Sequence, residues 1–136
     1  MASELKVDKF TGVTTAGSIL VTGEGNSTTT NLQQGLAKVW FNYTMVTTTA
    51  YRDSFNCSGI TDNGAGDMTV AFTSNFTNND YALATSHQRN ASTAEGQDYT
   101  PYQNTDDSMA TNQIRFATEG GEDFLGAYGC IHGDLA

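Results

Sequence analysis

Apolar and polar side chains alternate most clearly from Ala37 to Met45. Ala37, Val39, Phe41, Tyr43 and Met45 are apolar, and Lys38, Asn42 and Thr44 are polar. A period of two puts the two sets on opposite faces of a strand, one toward a core and one toward water. Trp40 sits on the polar side, so that face is predicted to be covered locally. Downstream, Ile60 on one side and Met68, Val70 and Phe72 on the other flank Asp62-Asn63-Gly64-Ala65-Gly66. These turn residues tolerate positive φ, and the pattern predicts a β-hairpin within an Arg52–Thr73 unit. Val46 to Ala50 reads as a loop or an edge strand, and Asn75 to Asp80 as a polar turn. Tyr81 to His87 predicts a strand with Tyr81, Leu83 and Thr85 on one face and Ala82 and Ala84 on the other. Two more strands follow: Thr111 to Thr118, with Ile114 and Phe116 alternating, and Phe124 to His132 after a Gly120–Asp123 turn. Gly126 and Gly129 inside the last one predict bulges or close backbone contact. About six strands after residue 34, at regular turn spacing, predict an all-β fold, an antiparallel β-sandwich.

The first 31 residues have a different texture. Leu5 and Val7 alternate with Glu4, Lys6 and Asp8, and Phe10 follows. A second short strand is predicted over Ser18-Ile19-Leu20-Val21-Thr22. Gly23 to Ser27 and the threonines after it read as a flexible joint. So few apolar side chains bury little on their own. We therefore read residues 1–31 as an extended docking arm and residues 32–136 as the sandwich domain, opening with a short turn of helix. Leu5, Val7, Phe10, Ile19, Leu20 and Val21 are the expected docking residues, adding to the sheet edge of another chain. The alternative is a hairpin folded back on its own domain.

Between Gln88 and Met109 apolar content nearly vanishes. A loop of this length in a compact domain is uncommon and tends to be functional or disordered. Tyr99 and Tyr102 flank Thr100-Pro101, and as aromatics with polar tips they are the expected surface contacts.

Charge narrows the partners. The chain has 136 residues, enough for one core without metals or disulfides. Its net charge is −9, and the excess is all in the later part. Residues 1–50 balance Lys6, Lys9 and Lys38 against Glu4, Asp8 and Glu24. Residues 51–136 set Arg52, Arg89 and Arg115 against twelve carboxylates. This acidity favours solubility and argues against binding nucleic acid or anionic membrane. It also suits a neutral first third that docks while the acidic remainder faces solvent. No apolar run approaches the ~20 residues of a bilayer span, and the N-terminus lacks the pattern of a secretion signal, so folding in a cytosol is expected. In that setting Cys57 and Cys130 are expected to be free thiols, buried in strands as small hydrophobes. Without a secretory route, the N-x-S/T sequons at Asn26, Asn42, Asn56, Asn75 and Asn90 carry no glycosylation expectation.

The residues do not assemble into a recognisable chemistry. Asp62 to Asp67 lacks the ligand spacing and distal Glu of an EF-hand, and turn chemistry accounts for each residue. The acidic pairs Asp106-Asp107 and Glu122-Asp123 fall on predicted turns and read as solvated. Cys57, His87, Cys130 and His132 show neither C-x-x-C nor H-x-x-x-H spacing. There is no G-x-S-x-G elbow. No catalytic residue, metal or cofactor is expected, and the aromatic group Trp40, Tyr43, Tyr51 and Phe55 reads as core before ligand platform.

The same central stretch carries a resemblance. G-L-A-K-x-W from Gly35, followed by R-D-S-F-N-x-S-x-I-T-D-N-G-x-G-D-x-T-V-x-F-T from Arg52 to Thr73, resembles a module of predicted tail-fibre and virion-appendage proteins of marine bacteriophages. Ile131-His132-Gly133-Asp134 is similar to the terminal strand of that module, and S-E-L-K-V-D-K to its attachment segments. The likeness covers most of the chain outside residues 88–110. It implies a virion structural protein assembled in the bacterial cytoplasm, a homotrimer that touches other virion proteins and a host-surface receptor. A capsid decoration, or cement, protein is the competing expectation, favoured by the lack of a long shaft.

Overall fold

A computed structural model describes residues 4–12, 19–23, 25, 27–88, 102–103, 109–117 and 123–135. It is all-β apart from one short helix, and its contacts divide it into two units, Met1–Leu36 and Ala37–Ala136.

In the first unit, β1 (Leu20–Thr22) pairs antiparallel with β2 (Thr29–Asn31). The Gly23 N–H donates to the Thr28 carbonyl at 2.9 Å, so the stretch read as a flexible joint closes a hairpin. The helix α1 (Leu32–Gly35) follows at once. Asn31 caps it, its side-chain oxygen accepting from the N–H groups of Gln33 and Gln34, two donors that a helix start leaves unpaired. Contacts group α1 with this unit. Residues 4–12 form no strand despite the alternation of Leu5 and Val7, because a strand needs an edge to pair with.

The second unit contains β3 (Val39–Thr44), β4 (Ala50–Phe55), β5 (Cys57–Gly64), β6 (Asp67–Phe72), β7 (Ala82–Gln88), β8 (Tyr102–Gln103), β9 (Met109–Ala110), β10 (Gln113–Ala117) and β11 (Gly126–His132). One sheet runs β4-β3-β11-β7. The other runs β5-β6-β10-β8, with β9 also on β10, and every pairing is antiparallel. Alternation decides the inner faces. Val39, Phe41, Tyr43, Ala127 and Ile131 from the first sheet meet Met68, Val70, Phe72, Ile114 and Phe116 from the second. Phe41 and Phe116 join the sheets directly, with ring centroids 5.6 Å apart. Each fully buried side chain of this size contributes about 1.5–3 kcal/mol. Burial also raises the Tyr43 phenol well above its usual range.

Asn75–Asp80 is more than a polar turn. Phe76 is buried, meets Phe72 edge-to-face and Tyr81 at a tilt, and pairs through its backbone with Leu135. The Tyr81 hydroxyl lies 3.2 Å from the Ala110 carbonyl and 3.3 Å from that of Gln113. Burial pushes its pKa up to about 12.

Two residues make the sandwich geometrically possible. Asn56 alone links β4 to β5, turning the chain from one sheet into the other with φ at 57°. Asn reaches this left-handed region more readily than most residues. Its side-chain amide donates to the carbonyls of Lys38 and Ser74, and its side-chain oxygen accepts from the Ser74 N–H at 2.7 Å. The corner is thereby tied to both sheets. The second residue is Gly129, in the middle of β11, where the Phe41 ring occupies the space a Cβ would need. The β11 register is unbroken on both sides, so Gly129 marks close contact and not a bulge.

Candidate docking surfaces

The expected docking residues of the first unit are presented to solvent. Leu5 is 73% exposed, Val7 47% and Phe10 61%, and Leu20 and Val21 are also exposed. Ile19 is half-covered, and its carbonyl accepts from the Leu32 N–H at 2.8 Å. Large apolar side chains left in water, five within a short stretch, are the composition of a contact surface.

The second surface is the outer face of the β4-β3-β11-β7 sheet. The aromatic group expected in the core splits by parity. Tyr43 and Tyr51 point inward, and the Tyr51 hydroxyl donates to the Gly59 carbonyl at 2.6 Å. Burial, together with the neighbouring Cys57, raises the Tyr51 phenol. Trp40 and Phe55 are opposite each other across β3 and β4 and face outward, 37% and 52% exposed. The covered face predicted from Trp40 is therefore open on the isolated chain.

Beside Trp40 in register is Cys130, then Ala84 of β7; the next row holds Asn42, Tyr128 and Ser86. Small side chains on β7 leave a shallow depression of about 290 Å³ lined by Ala84, Ser86, Tyr128, Gly129 and Cys130. Cys130 Sγ lies 3.5 Å from His132 Nε2. The Asn42 side-chain oxygen is buried and accepts no hydrogen bond.

Both cysteines are free thiols and each is half-exposed, Cys57 packing against the core and Cys130 on the outer face. Cys57 contacts the Phe55 and Trp40 carbonyls, and burial pushes its thiol pKa up.

The carboxylates around the β5–β6 hairpin are occupied by the protein itself. Asp62 accepts from the Thr49 hydroxyl and the Gly64 N–H. Asp123 accepts from the Gly66 N–H at 3.0 Å. Asp67 is held by both arms of the Arg115 guanidinium, at 2.9 and 2.5 Å, which keeps its carboxyl below the usual range. Among the described residues, no three His, Cys, Asp or Glu side chains gather to hold a metal, and no helix is long and apolar enough to cross a membrane.

Tyr99 lies outside the described residues, as does most of the Gln88–Met109 stretch. Tyr102 begins β8, opposite Ala117. Sequence reasoning missed the Phe55 side of the outer face. Tyr51 and Phe55 are four residues apart and would share a face in a regular strand. The register shift in β4 opposite Asn42 and Tyr43 turns them to opposite faces, and simple alternation carries no signal for it.

Comparison of the chain with known protein families, curated proteins and solved structures finds no match.

Proposed function

We propose that this chain is a structural protein of a bacteriophage particle, a tail-fibre-like appendage fixed to the particle through its N-terminal unit. The observation that carries the reading is the set Leu5, Val7, Phe10, Leu20 and Val21, exposed together on a unit whose contacts are separate from those of the sandwich. The resemblance of Gly35–Trp40 and Arg52–Thr73 to virion-appendage modules supports it. Function on this reading is binding without chemistry. The N-terminal unit pairs with virion proteins, the chain is a homotrimer in the assembled virion, and the Tyr99–Tyr102 stretch meets a host-surface receptor.

The test removes residues 2–36. The remaining sandwich should stay soluble and folded but be missing from purified particles; normal incorporation would overturn the reading. Tyr99→Ala with Tyr102→Ala should leave incorporation intact and weaken adsorption to host cells.

The outer face favours a second reading, a capsid decoration protein. Trp40 and Phe55 on an open sheet face suit lying against a neighbouring capsid subunit. Imaging of labelled particles separates the two, since the fibre belongs on the tail and the cement on the head.

A further inference from the structure

The sandwich has four sheet edges, and they are not alike. β4 is interrupted by a register shift between Asn42 and Tyr43 and carries Arg52 and Asp53. β5 has two register shifts and carries Asp62. On the far side of β10, β8 and β9 are two residues each. Bulges, charges and shortness are the usual guards of an exposed edge. β7 has none of them. Its seven residues, Ala82 to Gln88, pair without a break along β11, contain no proline and no Lys, Arg, Asp or Glu, and pair with nothing on the other side among the described residues.

The flank of the core is also open there. Leu83 packs on the core opposite the fully buried Ile131, yet it stays half-exposed, as do Thr85 and His87 in the same inward row. His87 stacks on Phe124 with ring centroids 4.7 Å apart. A strand laid on this edge would complete the flank with its own apolar side chains.

Residues 4–10 match that requirement. Leu5 and Val7 share one parity, and Glu4, Lys6 and Asp8 share the other. Seven residues on each side make the lengths equal. With Leu5 and Val7 in the row of Leu83 and Thr85, the alternating charges Glu4, Lys6 and Asp8 go to the outer face. Phe10 falls on that face too, the side of the depression beside Ala84 and Ser86. Lys9 joins the inward row, where its long stem can carry the ammonium to water. A slip of one residue would put three charges against the core margin, so the parity is specified.

Charge points to the occupant. Two copies of a chain at −9 repel, but the arm is balanced and the β7 edge carries no carboxylate or cationic side chain, so this contact brings no like charges together. Each chain also carries one donor and one acceptor, which is the condition for a closed ring or a reciprocal dimer. We propose that residues 4–10 of one copy add as a fifth strand to the β7 edge of a second copy. The proposal rests on the reading of the N-terminal unit as a docking arm and gives its residues 4–10 a second copy of the chain as partner, leaving the exposed Leu20 and Val21 of the same unit for other virion proteins.

The full-length protein tests it in solution, without particles. Native mass measurement at micromolar concentration should find an oligomer. Leu5→Asp with Val7→Asp, both exposed in the single chain, should leave the sandwich folded and convert the oligomer to monomer, with the melting temperature falling only to that of the unpaired sandwich. Amide exchange across residues 82–88 should then accelerate at least tenfold. A wild-type monomer would overturn the proposal, and so would an oligomer that survives the double substitution. Loss of the oligomer with unchanged exchange at 82–88 would overturn the β7 assignment. None of these outcomes depends on incorporation into particles, so failure here is distinguishable from failure of the virion reading.

Discussion

Phe41 and Gly129 face each other across the β3–β11 pair so closely that a Cβ on Gly129 would run into the edge of the Phe41 ring at Cζ. Phe41 also touches Phe116 in the opposite sheet, so the ring cannot retreat without loosening the sandwich. Gly129→Ala should therefore destabilise the protein by about 1–3 kcal/mol, the usual cost of overfilling a packed core. Thermal melts of Gly129→Ala alone and with Phe41→Leu check this. The second change should restore part of the loss, and strictly additive losses would count against the contact.

Asn56 offers a separate test of the corner. Asn56→Gly keeps access to the left-handed φ but removes the side-chain bonds to Lys38, Ser74 and the Ser74 N–H. A loss of about 1–3 kcal/mol is expected from those bonds. Asn56→Ala loses the same bonds and also meets the steric cost of that φ, about 1–2 kcal/mol more. Urea titrations should rank wild type above Gly and Gly above Ala.

The Asp67–Arg115 pair predicts a small acid sensitivity. Its hydrogen bonds to Arg115 hold the folded-state pKa of Asp67 below the unfolded value. The contribution is therefore present above the ordinary carboxylate range, about pH 4, and is lost as pH falls through the lower folded value. Because the Arg115 side of the pair is open to water, solvent screening keeps the effect modest. Stability measured from pH 6 down to pH 2 should fall less steeply in Asp67→Asn than in wild type.

The two thiols should react at different rates. Burial raises the Cys57 pKa and so reduces its thiolate, whereas Cys130 lines an open depression on the outer face. A thiol reagent at pH 8 should label Cys130 in the folded protein before Cys57. Labelling of both only after denaturation would contradict the placement. Reducing agent should leave the melting temperature unchanged, because neither thiol is in a disulfide.

The strands were legible where alternation ran long enough for one face to be buried. β3, the β5–β6 hairpin, β7 and β10 lie close to their predicted positions because Phe41, Val70, Leu83 and Phe116 sit on strict period-two spacing. Pairing was not legible. No local signal tells β3 to lie beside β11, since that choice depends on how two distant inner faces fill one core. The arm was misread in its details for a related reason. Three-residue strands such as β1 and β2 carry too few side chains to show a period, and their pairing rests on a turn at Gly23. Of the candidate surface, the apolar arm residues were visible as composition. The outward position of Trp40 followed from the alternation along β3, whereas that of Phe55 depended on the register shift within β4.

The placement of β11 has a consequence for how the protein is made. β11 lies between β3 and β7 in its sheet, and residues 45–125 separate it from β3. The inner rows of that sheet therefore stay incomplete until residues 126–132 have left the ribosome. Pairings this distant in sequence are slow to form, and unpaired strands are prone to aggregate while they wait. A ribosome stalled before residue 126 would leave β3 and β7 each with an open edge in the middle of the unfinished sheet. Such fragments should partition into insoluble material, whereas the released full-length chain should not.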